Sequence, residues 1–266
     1  MTRRGERGRS AEVDSSAPAL RLDGLRKVFG ERIAVTGLDL TIEPGSFFGL
    51  VGPNGAGKTT ALSMAVGLLR PDAGTSHVFG ADVWQQAGRA RELLGVLPDG
   101  LAMPEHLTGR ELLTYLGRLR RLDRTTAALR TDELLDVMDL MDAQRTPIVD
   151  YSTGMRKKIG LATALLHAPK LLVLDEPFEA VDPVSAAGLK HILRRFVAGG
   201  GSVLLSSHVM ALVEELCDTV AVMAGGDVVA AGPLHLVKGH GTLEDAFVEL
   251  VGGTRAEGEV LPWLVS

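Results

Sequence analysis

Apolar and polar positions follow two different periods along this chain, and the change of period divides it. Over residues 20–43, LRLDGLRKVF and IAVTGLDLTI partly alternate, which predicts short strands with a turn near Gly30. Glu43-Pro44-Gly45 reads as a further turn. Phe47–Val51 is an unbroken apolar run, and a helix-like stretch, Ala61–Leu69, follows a glycine-rich loop. Arg70-Pro71-Asp72-Ala73-Gly74 breaks that helix, Thr75–Phe79 can return as a strand, and Gly80–Glu92 is polar and partly helical. Leu93–Leu97 is an apolar strand ending at Pro98-Asp99.

From 104 to 168 the pattern turns helical. Thr108-Gly109-Arg110-Glu111 is a capping-box sequence, and Leu112, Leu113, Leu116 and Leu119 then fall on one helical face. A second helix is expected over about 125–141, with Leu134, Leu135, Met138 and Met141 as its stripe. A third runs from about Thr153 to His167, with Met155, Ile159, Ala162 and Leu166 inward. The strand period resumes at Lys170. Leu171–Leu174 is continuously apolar, as a strand buried on both faces of a parallel sheet requires. Asp182-Pro183 looks like a helix N-cap with a first-turn proline, and the helix is expected to reach about Val197. A strand (Val203–Ser206), a helix (Met210–Cys217), a strand (Thr219–Met223), a Gly225-Gly226-Asp227 turn and a last strand (Val228–Ala231) follow. Residues 242–250 form a short amphipathic helix, and 251–266 carry no clear pattern. The alternation predicts a layered α/β core with a helical lobe inserted in it.

Composition adjusts this picture little. With 266 residues and 45% apolar content the chain can bury a full core. A net charge of −5 gives no support to nucleic-acid binding. The single cysteine, Cys217, excludes an internal disulfide and fits a reducing cytosol. No apolar run approaches the ~18 residues of a membrane span. Arg3, Arg4, Arg7 and Arg9 precede no apolar stretch, so residues 1–18 read as a solvated tail, with membrane-surface contact the lesser alternative.

The candidate chemistry begins at FFGLVGPNGAGKTT, residues 47–60. Strand, loop and helix follow in that order, and Gly52, Gly57, Lys58 and Thr59 match G-x-x-x-x-G-K-[ST], a phosphate-binding P-loop. Glycines let backbone N–H groups of Gly52, Pro53–Ala56 and Gly57 curl around a phosphate, proline excepted, and the helix start adds free N–H groups. Lys58 supplies a cation for the outer phosphates, and the Thr59 hydroxyl can ligate Mg²⁺ beside Thr60. At the other end of the core, Leu171–Leu174 delivers Asp175 to the carboxyl edge of the sheet, where it can hold Mg²⁺; Glu176 can polarise a water. Alone, a strand ending in Asp-Glu is ordinary. Beside a P-loop it reads as the second half of a nucleotide site.

Taken together, these segments resemble the nucleotide-binding subunits of ABC transporters, over about residues 29–208. GPNGAGKTT resembles that family's Walker A loop and LLVLDEP at 171–177 its Walker B strand with the catalytic glutamate. YSTGMRKK at 151–158 resembles the signature motif, AVDP at 180–183 the D-loop, and Ser207-His208 the switch histidine. The resemblance implies a P-loop NTPase: a RecA-like parallel core with a small antiparallel sheet and a helical lobe at about 100–168. The ATPase domain is then 19–232, with a C-terminal helix and tail over 233–266. It implies Mg·ATP held between two copies, or a copy and a paralogous subunit, with Ser152, Gly154 and Asp182 of one acting on the nucleotide of the other. It places Phe29 where an aromatic stacks on adenine, although a core aromatic of the small sheet is the competing reading. His208 is placed at the γ-phosphate, against a structural histidine as the alternative, and Ser152 against an ordinary N-cap. The S-x-G-M form of the signature resembles subunits that serve a separate exporter permease.

One position departs from the family. Glutamine usually follows the strand entering the helical lobe; here Asp99 stands there, shorter by one methylene and charged. It can still bind Mg²⁺, since hard cations favour carboxylate oxygen. The expectation is therefore an ATPase at the cytoplasmic face of a membrane, attached through an integral-membrane permease, with an importer subunit as an alternative within transport. A soluble ABC ATPase of DNA repair, chromosome organisation or translation is the outside alternative; it would call for long heptads, zinc cysteines, a second P-loop or a basic face, none of which the sequence has.

Overall fold

The structure, a computed structural model, describes residues 17–252. The expected tail over 1–18 and the patternless 251–266 thus fall almost wholly outside the described residues. Strands β1 (Leu20–Phe29) and β2 (Arg32–Ile42) form the hairpin expected around Gly30, paired from Leu20↔Ile42 to Phe29↔Arg32 with register shifts between Leu22 and Val28. With β4 (Ala73–Val78) and the short β5 (Ala81–Asp82) they make an antiparallel sheet in the order β2-β1-β4-β5. A second sheet has six strands in the order β10-β9-β3-β8-β7-β6. Its members are β3 (Phe47–Val51), β6 (Leu94–Leu97), β7 (Leu171–Leu174), β8 (Ser202–Ser207), β9 (Thr219–Ala224) and β10 (Asp227–Pro233). All neighbours are parallel except β10, which folds back on β9 through the Gly225-Gly226 turn.

The unbroken apolar runs are explained by two separate packing layers. Along β3, Phe48 and Leu50 enter one core while Phe47 and Val51 enter the other. In β7, Leu171 and Val173 face the first layer, Leu172 and Leu174 the second. A strand with both faces covered cannot alternate apolar with polar, because either face would bury a polar side chain. Each such Leu, Val or Phe contributes roughly 1.5–3 kcal/mol relative to exposure. Helices α1 (Lys58–Ala65) and α2 (Ala87–Leu93) contribute Met64 and Ala90 to the first layer. Helices α6 (Pro183–Ala198) and α7 (Met210–Leu216) cover the other face through Leu189, Leu193 and Val213.

Between β6 and β7 lie α3 (Gly109–Leu119), α4 (Arg124–Val137) and α5 (Thr153–Leu165). The capping box closes as expected: Glu111 N donates to Thr108 Oγ1 and Thr108 N to Glu111 Oε2. Leu112, Leu113 and Leu135 bury together with Ile159, Ala162 and Leu166. Two details differ from expectation. Leu119 is 60% exposed at the end of α3, whereas Gly117 of the same turn is the residue buried against Ala127 of α4. Helix α4 stops at Val137 rather than about 141, since Asp139 takes a left-handed φ of 54° that no helix can continue through. Met138 is still buried and Met141 partly so, from the turn that follows. Past β10, α8 (Leu234–Val237) was not foreseen, whereas α9 (Leu243–Val251) is the expected amphipathic helix, capped by Thr242 and Asp245.

Candidate functional site

Four neighbouring parallel strands deliver the candidate residues to one edge. Beyond the carboxyl end of β3 lies Gly52, beyond β8 His208, beyond β7 Asp175 and Glu176, and beyond β6 Asp99. Open α/β sheets place ligands at this edge. A cleft of about 610 Å³ opens there, lined by the loop from Pro53 to Gly57, by Lys58, Thr59, Thr60, Asp99, Glu176, Glu179 and His208, and by Phe29, Arg32 and Ala34 of the hairpin.

The loop needs its glycines for space. A Cβ on Gly52 would stand 2.2 Å from the Met223 carbonyl oxygen, and Gly57 holds φ 103° with Ala34 O only 2.5 Å from where its Cβ would lie. Lys58, 6% exposed, donates to Gly52 O at 2.7 Å and lies 3.5 Å from Glu176 Oε1. Apart from that ion pair, the buried Oε1 has no hydrogen-bond partner. The lysine thus spans the bend of the loop, from Gly52 O to Glu176 Oε1.

Glu176 is held from three sides. Its N–H donates to Ser206 Oγ at 2.9 Å, its carbonyl accepts from Lys157 Nζ at 2.9 Å, and its Oε2 lies 3.0 Å from His208 Nδ1. These contacts fix a non-glycine residue at φ 44°, a left-handed conformation that costs on the order of 1–2 kcal/mol. Asp175, buried, accepts from the Ser206 hydroxyl at 2.5 Å and lies behind the cleft wall. Asp99 reaches the cleft, with Lys157 Nζ 3.7 Å from its Oδ1. Phe29 is 50% exposed at the hairpin tip, with Lys27 Nζ 5.6 Å from its ring centre, so the core-aromatic alternative is excluded.

Ser152, Gly154 and Asp182 do not line this cleft. Ser152 caps α5 by accepting from Met155 N at 3.2 Å, and Asp182 caps α6 by accepting from Val184 N and Ser185 N. The Ser185 N–H and hydroxyl hold the Asp182 carboxyl below the usual carboxylate range. The two helix starts adjoin: a Cβ on Gly154 would lie 3.2 Å from Asp182 Oδ2. Ser152 and Asp182 are thus exposed on adjoining helix starts, with Gly154 buried against Asp182 and Ser185.

Among the described residues no three His, Cys, Asp or Glu side chains converge as a ready metal cage. The donors nearby are hydroxyl and carboxylate oxygens: Thr59, Asp99, Asp175 and Glu176 Oε1, which accepts no hydrogen bond. That donor set suits Mg²⁺, which usually takes one or two carboxylates and completes its shell with waters and substrate phosphates.

Sequence reasoning missed Ser206 and Lys157. A serine inside a fully buried strand must find a partner, and that was a readable signal for Ser206. Lys157 carried none, because its partners are remote in sequence.

Comparison with known proteins bears on the same segments. Residues 35–179 match the family model described as ABC transporter. The chain is 40% identical over 220 residues to the daunorubicin resistance ATP-binding protein DrrA3 of Streptomyces coeruleorubidus, covering 83% of this chain and 70% of that protein. It is 38% identical over 220 residues to the Nod factor export ATP-binding protein I of Ralstonia nicotianae, covering 83% and 68%. With the linearmycin resistance ATP-binding protein LnrL of Bacillus subtilis it shares 33% over 213 residues, covering 80% and 68%. A solved structure of an ATP-binding subunit of an ABC transporter superposes with a TM-score of 0.81 at 26% identity, over 87% of this chain and 99% of that one.

Proposed function

Because this chain belongs to the ABC transporter family, as an ATP-binding subunit that hydrolyses ATP, we propose that it works as one of a pair closing on two Mg·ATP to drive a separate membrane permease in the export direction. The observation that carries the site assignment is the juxtaposition of Lys58, Glu176 and His208 in one cleft under the phosphate loop. The ATPase unit spans 19–232 in this reading, with residues 100–168 as the lobe that meets the permease.

Each residue's part follows from its place. The N–H groups of Gly55–Thr60 and the Lys58 ammonium bind the phosphates, Lys58 exchanging Gly52 O and Glu176 for phosphate oxygen. Freed from Lys58, the Glu176 carboxylate orients the attacking water and accepts its proton during in-line attack on the γ-phosphate. His208 restrains that carboxylate and donates to the γ-phosphate as charge develops. Phe29, exposed at the rim, stacks on the adenine. Thr59, Asp175 and Asp99 would hold Mg²⁺, which would supply charge neutralisation at the outer phosphates. Ser152, Gly154 and Asp182, away from the chain's own cleft, complete the partner's site, either a second copy or a paralogous subunit. The export direction rests on the relatives' described roles in drug resistance and Nod factor export. Among the described residues no helix is long and apolar enough to cross a membrane, which suits attachment at the cytoplasmic face through the permease.

The test uses two variants. Lys58→Ala should lose most ATP affinity by calorimetry while melting near the wild type. Glu176→Gln should keep ATP bound and elute as a dimer with Mg·ATP. Equal ATP affinity in Lys58→Ala, or a strictly monomeric Glu176→Gln at high protein concentration with the permease present, refutes the assignment.

A further inference from the structure

Two hollows meet at Asp99. One is the nucleotide cleft; the other, of about 320 Å³, lies between the loop after β6 and the first turn of α5, and Asp99 and Glu179 line both. Lys157 belongs to the second hollow only. Its side chain, 16% exposed, leaves α5 and reaches behind the cleft wall. There Nζ donates to the backbone carbonyl of Glu176 at 2.9 Å and stands 3.7 Å from Asp99 Oδ1.

We propose that Lys157 is a positioning residue for ATP hydrolysis, a single ammonium through which the helical lobe holds both the backbone of Glu176 and the carboxylate of Asp99. This rests on the ATPase reading above and adds a residue to it. Three observations carry it. Glu176 sits at φ 44°, a conformation that a residue with a Cβ keeps only when its surroundings fix it. The restraint on its N–H comes from Ser206 in the core, whereas the restraint on its carbonyl comes from the lobe, through Lys157. Finally, Asp99, Glu176 and Glu179 put three carboxylates on the wall of a cleft meant for a polyanion, and among the described residues Asp99 has no ion pair other than Lys157. A cation behind the wall offsets that charge without occupying phosphate space.

The consequence is mechanical. Lys157 lies on the same helix as Ser152 and Gly154, within its first two turns. When that helix moves with the lobe, the peptide of Glu176 and the carboxylate of Asp99 move or are released together. Water-orienting geometry is then present only with the lobe in place.

The full chain, wild type and variant, is assayed for phosphate release over a range of ATP concentrations. Lys157→Met should lower kcat roughly 10-fold, the scale of one lost charge-assisted hydrogen bond. The KM for ATP should stay within about twofold, because Lys157 touches no phosphate position, and Lys157→Arg should restore most of kcat. Should Lys157→Met fail to fold, Lys157→Gln, which keeps a donor and loses the charge, is read in the same way. Lys157→Met or Lys157→Gln turning over at the wild-type rate overturns the proposal. So does a parallel loss of kcat, KM and melting temperature that arginine fails to rescue, the mark of a merely structural residue. Wild-type phosphate release no higher than that of Lys58→Ala would instead overturn the ATPase reading itself.

Discussion

Replacing Ser206 by alanine isolates one oxygen that serves two neighbouring acidic residues of the candidate site. Ser206 Oγ is fully buried in β8, donates to Asp175 Oδ1 and accepts from the Glu176 N–H at 2.9 Å. Alanine fits the same space, so packing changes little and the effect is almost wholly polar. Asp175, 3% exposed, loses a hydrogen bond to a charged acceptor, worth roughly 1.5–3 kcal/mol. The Glu176 N–H loses its partner in a half-buried place, at about 1 kcal/mol more. The sum is roughly 3 kcal/mol, which for a chain of this length lowers the melting temperature by roughly 6–12 °C. A double-mutant cycle with Asp175→Asn should show a coupling of at least ~1 kcal/mol, since the two groups share a bond. Mg·ATP should recover part of the loss if Asp175 gains a metal-bound water in place of the hydroxyl. Melting within about 2 °C of the wild type, or a coupling near zero, refutes the reasoning.

Two further outcomes follow from buried geometry. Gly49→Ala should destabilise by about 1–3 kcal/mol in urea unfolding, because its Cβ would stand 2.4 Å from Val213 Cγ1 and 3.1 Å from Cys217 Sγ, so that α7 must shift; an unchanged midpoint refutes this. Burial, with Arg120 and Arg130 nearby, lowers the His167 pKa from 6.5 to about 4. The unfolded chain therefore takes up the proton first, and the contribution, full above about pH 6.5, is lost as pH falls towards 4. His167→Gln should flatten the fall in stability between pH 7 and 5, and an unaltered slope rules His167 out as its source.

The sequence made the site legible where function is written in contiguous residues. Phe47–Thr60 and Leu171–Glu176 each carry strand, turn and candidate ligand types within one short segment, so period and chemistry could be read together. Caps were equally legible: Thr108, Ser152 and Asp182 all accept the N–H bonds their positions call for. Leu119 was misread because in that last turn it is Gly117, a residue without a side chain, that faces Ala127 of α4. The two-residue β5 and four-residue α8 are too short to show a period at all. Lys157 and Ser206 act through space, on residues 19 and 30 positions away from them in the chain; burial of Ser206 in a strand signals that it needs a partner, but no local pattern says which.

Strand order also has a consequence for synthesis. The segment Phe47–Val51 pairs on one edge with Val203–Ser207 and on the other with residues 219–222. At ribosomal speeds of about 5–20 residues per second, this strand of five apolar or glycine residues emerges on the order of ten seconds or more before either partner exists. Until then both rows of its backbone donors and acceptors are open, on a segment whose side chains also lack the layers that will cover them. Such an edge invites pairing with other nascent chains. The glycine-rich loop that follows the strand is therefore made early but acquires its shape late.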